Sequence, residues 1–189
     1  MANTLSLFDS PPHPLKPRMK LDWSGTMTKP TSRTKRPVKY YFIDFDLSRM
    51  YEPEEHRLET PPWGGDKTVP EFLIPNPEPC DPFPVDVYCL GNAIRRSFLD
   101  GYEEFFVAQT GLEFMRELIT DMVKDDPKAR PTMAEVVERF DKIVQGLSSW
   151  RLRSPVVRVD KRLGFFGSAA HWIKQLCYMA RRLPAIPKA

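Results

Sequence analysis

The chain has 189 residues, of which 41% are hydrophobic and 28% charged, with a formal net charge of +3. That is enough for about one domain with a buried core, and no run approaches the roughly 18 to 20 consecutive apolar residues that a membrane crossing needs. Cys80, Cys89 and Cys177 are odd in number and lack C-x-x-C spacing, which argues against a disulfide framework or zinc site and for a reducing compartment. Met1 to Asp9 has neither the basic start nor the apolar core of a secretory signal, so an intracellular location, cytoplasmic or nuclear, is expected. The charge is uneven: residues 151–189 carry nine Lys/Arg against the single acid Asp160, while residues 1–150 carry 19 against 24. A basic tail on an acidic body points to an anionic surface or to the body itself as its contact.

Three segments are expected: an irregular 1–38, a body over 39–150, and a basic connector with a C-terminal helix over 151–189. Fifteen of the 20 prolines precede residue 86, which disfavours long helices there. Residues 1–38 read as irregular chain. The apolar and aromatic run Lys39 to Phe45 predicts a short strand. Residues 49–84 form a long proline-punctuated loop with a tight turn at Gly64-Gly65, a length that suggests function.

Helices follow. Val85 to Phe98 sets Val87, Leu90, Ile94 and Phe98 on one face, and Leu112 to Val123 does the same with Leu112, Met115, Leu118, Ile119 and Met122. Thr132 is an N-cap with Glu135 as its capping-box partner. The helix it opens runs to about Leu147, with Val136, Val137, Phe140, Ile143 and Val144 inward. Ala169 to Leu183 puts Ala169, Trp172, Ile173, Leu176, Ala180 and Leu183 on one face beside Lys174, Arg181 and Arg182. Such a helix docks on the body or a partner, or lies on an anionic membrane surface through 163–183. No nucleic-acid-binding motif accompanies the charge.

The order of four motifs carries a resemblance. Tyr40-Tyr41-Phe42-Ile43-Asp44-Phe45-Asp46 is followed by Val69-Pro70-Glu71, by Asp86-Val87-Tyr88-Cys89-Leu90-Gly91, and by Asp126-Pro127-Lys128-Ala129-Arg130-Pro131. Together these resemble the large lobe of a protein kinase, from the metal-binding strand to the last helices. The wider wording, Asp22-Trp23-Ser24-Gly25, Pro62-Trp63-Gly64-Gly65-Asp66 and Asp81-Pro82-Phe83-Pro84, is similar to a group of kinase-like proteins common in basidiomycete fungi and extends over about residues 5 to 187.

The resemblance implies a mainly α kinase-like large lobe, N-terminally truncated, with a short strand and an activation-segment-like loop. It implies ATP and Mg²⁺ as cofactors and phosphoryl transfer to protein Ser or Thr. Asp44 occupies the place of the metal ligand, and Asp46 stands where the family has a glycine that lets the motif swing. Glu71 and Arg130 match a buried ion pair, and Asp86 matches the aspartate that anchors the catalytic loop; all three are structural. The 43 residues before Asp44 contain no Gly-rich loop, strand lysine or His-Arg-Asp, so no catalytic residue is assigned. Lys39, at the far end of the Asp44 strand, does not substitute, and the histidines read as solvated.

The chain by itself is therefore expected to be a catalytically inactive remnant or incomplete product. The alternatives are a non-catalytic interaction module binding a protein partner, and a lobe whose missing small lobe is supplied by a separate chain. An uncovered cleft floor also predicts self-association. Ser6, Ser48, Thr60 and Thr68 are hydroxyls open to phosphorylation. Ser32 to Pro37 reads as a solvated basic turn or a phosphate-binding or nuclear patch.

Overall fold

A computed structural model describes residues 7–161 and 163–186; Ser6 lies outside them. The chain is mainly helical, with 39% helix against 9% strand and isolated bridge residues, the strands themselves forming two small sheets. It divides into two units, Leu47–Ser168 and the pairing of Met1–Asp46 with Ala169–Ala189.

The larger unit is built around α1 (Pro82–Ile94), which continues into a π-helical turn at Arg95–Leu99. Sequence periodicity starts this helix at Val85. It starts earlier because Asp81 caps it, accepting from Phe83 N at 2.9 Å, and because proline is tolerated in a first turn. Its buried residues are Val85, Val87, Tyr88, Gly91 and Asn92, whereas Leu90 and Phe98 of the expected face are 42% and 40% exposed. The helix is covered on two sides, so one stripe does not describe it. Val87 packs with Leu99, Leu118, Ile119, Met122 and Val136, and on another side Val85 and Tyr88 pack with Val69.

Residues 112–123 are a 3-10 turn, Glu113–Met115, followed by α2 (Arg116–Met122), whose Leu118, Ile119 and Met122 are buried. The turn Pro127–Ala129 is capped by Asp126, which accepts from Lys128 N at 2.9 Å. Next comes α3 (Met133–Gly146) with its capping box formed: Thr132 Oγ1 accepts from Glu135 N at 3.3 Å, and Glu135 Oε2 accepts from Thr132 N at 2.7 Å. Val136 and Ile143 face the core, but Val137 and Phe140 are 55% and 40% exposed, since α3 packs along a narrower stripe than its apolar pattern allows. A short α4 (Ser149–Arg153) precedes β4 (Val157–Arg158), which pairs antiparallel with β3 (Gln109–Thr110).

The smaller unit departs most from expectation. Residues 1–38 contain a hairpin, β1 (Pro12–His13) against β2 (Lys16–Lys20), with a further bridge between Met19 and Thr26. The strand expected over Lys39 to Phe45 is not formed; one bridge residue, Tyr40, is all that marks it. Phe42, Ile43 and Phe45 are 91%, 58% and 63% exposed. β-propensity alone does not make a strand, because its N–H and C=O groups need a ladder partner.

The basic turn at Ser32 is engaged locally: Arg36 pairs with Asp9 at 2.8 Å, and Arg33 Nη1 donates to the Tyr40 hydroxyl at 3.0 Å. The last helix, α5 (Phe165–Ala180), begins four residues before the expected Ala169. Its covered side chains are His171, Trp172, Gln175 and Tyr178, with the Tyr178 and Ser32 hydroxyls hydrogen-bonded at 3.0 Å. Of the six side chains expected to dock, Trp172 and Leu183 are partly covered, whereas Ala169, Ile173, Leu176 and Ala180 are exposed.

Candidate functional site

Asp44 sits in the exposed stretch after Tyr40, with a left-handed φ of 66°, a conformation aspartate tolerates better than most residues. Asp46 is also exposed. Among the described residues no group of three or more His, Cys, Asp or Glu side chains is placed to hold a metal ion. A Mg²⁺ ion takes a near-octahedral set of oxygens, and an isolated, solvent-facing carboxylate does not preorganise one. Asp44 and Asp46 are thus two solvent-facing carboxylates, with no third donor of these types grouped with them among the described residues.

Glu71 and Arg130 are brought together. Glu71 lies in a 3-10 turn, Pro70–Phe72, held by the N–H of Phe72 donating to Val69 O at 2.9 Å. Arg130 follows the Pro127–Ala129 turn in an extended conformation, which aims its side chain back at the loop. Its Nη1 and Nη2 donate to Glu71 Oε1 and Oε2, both at 2.7 Å. The other three N–H groups go to carbonyls: Lys124 O at 2.7 Å, Pro84 O at 3.0 Å and Asp125 O at 3.1 Å. All five guanidinium donors are therefore used. The Arg130 side chain is fully buried, and its guanidinium carbon lies 5.0 Å from the centre of the Tyr88 ring. The pair fastens the end of the long loop to the turn before α3 and to the start of α1.

Asp86 projects from α1 beside a largely apolar hollow of about 620 Å³ that Phe83, Pro84, Val87, Met133 and Ala134 help to line. Asp86 retains open surface and makes no hydrogen bond or ion pair with a described residue. Burial pushes its pKa up from the ordinary value.

A second polar cluster escaped sequence reasoning. Asn92, fully buried, donates through Nδ2 to Asp66 Oδ2 at 2.5 Å and to Thr68 Oγ1 at 3.1 Å, and its Oδ1 accepts from Arg95 Nη2 at 2.7 Å. Asp66 also accepts from Thr68 N at 2.9 Å and Oγ1 at 2.7 Å. Burial raises the Asp66 pKa, but the hydrogen bonds from Asn92 and Thr68 outweigh it, so the carboxyl ends below its ordinary range. Tyr88 completes the connection, its hydroxyl donating to Thr68 O at 3.1 Å. Sequence periodicity puts the apolar face of this helix at Val87, Leu90, Ile94 and Phe98, and Asn92 lies on the opposite side, where it is buried only because α1 is covered on two sides. Thr68, one of the hydroxyls considered for phosphorylation, is thus spent on a structural network.

Next to this network a cleft of about 500 Å³ is lined by Lys67, Thr68, Arg96, Ser97, Tyr102 and Phe106 among others, with the Arg96 guanidinium 4.4 Å from the Tyr102 ring centre. Thiol chemistry has no foothold in the core of this unit, because burial and the nearby Asp66 and Asp86 push the Cys89 thiol up to about 11. Among the described residues no helix is long and apolar enough to cross a membrane. No family model, curated protein or solved structure matches the chain.

Proposed function

We propose that this chain is the helical large-lobe part of a protein kinase-like domain, and that its own residues serve as a protein-binding module rather than as a phosphotransferase. The observation that carries the reading is the Glu71–Arg130 clamp, which ties the end of the 49–84 loop to the helices through a fully buried arginine. The motif order supports the same reading, since the clamp joins the two motifs that the resemblance pairs. ATP and Mg²⁺ binding and transfer to Ser or Thr are what the family implies. Those steps need a lysine on the phosphates, a covering loop and a base near the hydroxyl, none of which these residues supply, and Asp44 stands isolated as a ligand. What remains is a braced loop platform, with the Lys67–Phe106 cleft beside it as the surface for a partner segment.

Two measurements test this. Hydrogen exchange on the full chain should show 66–72, α1 and 127–136 protected together, and protection lost together in Arg130→Met; independent exchange of the loop would overturn the platform. A thermal melt should be cooperative and unmoved by millimolar Mg²⁺, ATP or both. A ligand at about 100 times its dissociation constant adds roughly 2.7 kcal/mol, or several degrees, to a domain of this size. A shift requiring both Mg²⁺ and ATP would overturn the non-catalytic part.

A further inference from the structure

The last helix has a covered side and an exposed apolar side that meet at Trp172, about 20° from Phe165 on the helical projection. At 100° per residue, the covered side chains of His171, Trp172, Gln175 and Tyr178 fall on one side of α5. Phe165, Phe166, Ala169, Ile173, Leu176 and Ala180 fall together on the other, and all are exposed. Phe165 and Phe166 are 82% and 86% exposed, and Ile173 and Leu176 are 62% and 50% exposed. An apolar stripe along the whole length of a helix is not an ordinary scatter of surface hydrophobics. Its counter-face is already held, through the Tyr178–Ser32 hydrogen bond, so the stripe is not simply waiting to roll inward.

Along the sequence of this segment the charge has one sign. Residues 161–189 contain no Asp or Glu, while Lys161, Lys174, Arg181 and Arg182 lie before, along and after the helix. On the helical projection, Lys174 and Arg181 fall between the apolar stripe and the covered side, and the Lys174 ammonium lies 5.7 Å from the centre of the Tyr178 ring. The helix has 16 residues and is not apolar enough to span a bilayer. An apolar face with aromatic residues at one end, cations beside it and no acid in the segment is the composition of a helix that lies in a lipid–water interface.

We propose that the exposed face of α5 binds an anionic membrane surface, with Phe165, Phe166, Ile173 and Leu176 entering the headgroup–acyl boundary and Lys174, Arg181 and Arg182 pairing with lipid phosphates and carboxylates. The contact is peripheral and reversible. It is independent of the kinase-like reading, since none of these side chains belongs to the loop, the clamp or the cleft.

The test is co-sedimentation of the full chain with large unilamellar vesicles, either pure phosphatidylcholine or phosphatidylcholine with 30% phosphatidylserine. Binding is expected on the anionic vesicles, with little on the neutral ones and a steep fall at 0.5 M salt. Lys174→Glu with Arg181→Glu should weaken it at least tenfold, because each cation near such a surface contributes about a factor of five. Ile173→Ser with Leu176→Ser should abolish it while leaving the melting curve unchanged, both side chains being exposed. Failure to bind anionic vesicles, or binding indifferent to the serine pair, overturns the proposal. So does a dimer in light scattering that the serine pair dissociates without any vesicle binding, which would make a second copy the occupant.

Discussion

Arg130 and Glu71, 59 residues apart in sequence, meet through two parallel bonds of 2.7 Å, and the arginine has no exposed side-chain surface. The geometry is bidentate, the form in which guanidinium and carboxylate recognise each other best. A buried pair of this kind is weak evidence of net stabilisation, because desolvation offsets much of the attraction. Its consequence lies in what happens when one partner is removed.

Glu71→Ala leaves a buried guanidinium with two unpaired donors and should cost about 3–5 kcal/mol. The double variant Glu71→Leu with Arg130→Met removes both charges and should cost less than the two single changes together. Urea unfolding of the four proteins measures the coupling directly. Additive losses would show that the two side chains do not act as a pair.

Gly91 of α1 lies against the end of α2. A Cβ there would lie 2.7 Å from Met122 Cβ and 3.0 Å from Val123 Cγ1. In an open helix Gly→Ala gains up to about 1 kcal/mol. Here overpacking should dominate, and Gly91→Ala should destabilise by about 1–3 kcal/mol. A higher urea midpoint in Gly91→Ala would refute this helix contact.

Asp86 predicts a pH signature. Its folded-state pKa is raised by burial, so between the ordinary value of 3.8 and that higher value the folded chain holds more protons than the unfolded one. Stability contributed by this group therefore falls as pH rises through that window, and the penalty is fully present at neutral pH. Asp86→Asn should raise the melting temperature at pH 7 and change it little near pH 3. Equal effects at both pH values, or a loss at pH 7, would mean that the carboxylate has a stabilising partner.

Asp44 is held at φ 66° in an exposed stretch. Asp44→Asn should leave stability unchanged, since asparagine also tolerates this region, whereas Asp44→Val should cost about 1–2 kcal/mol from backbone strain alone. Calorimetric titration with MgCl₂ should give the same trace for the wild type and Asp44→Asn. A saturable Mg²⁺ isotherm lost in Asp44→Asn would restore this residue as a metal ligand.

Much of the local structure was readable beforehand. The Thr132–Glu135 capping box spans three residues and needs nothing from the rest of the chain, so its geometry follows from sequence alone. The same holds for the helical character of 116–122 and 133–146. Arg130 and Glu71 were found through motif order rather than through any local rule.

What the tertiary structure decided is which faces are covered. The run Tyr40 to Phe45 has strand composition yet forms no strand, because a ladder needs a partner that local composition does not supply. α1 is buried on two sides and so hides Asn92 where one-stripe counting expects solvent. In α5 the periodicity is right, but of the expected face only Trp172 is partly covered within the helix, and the remaining covered side chains lie on the other side. Caps and turns are contacts within a few residues, fixed by the chain's own stereochemistry; burial is a contact between distant segments, and the same amphipathic pattern is compatible with either face until a neighbour arrives to cover one.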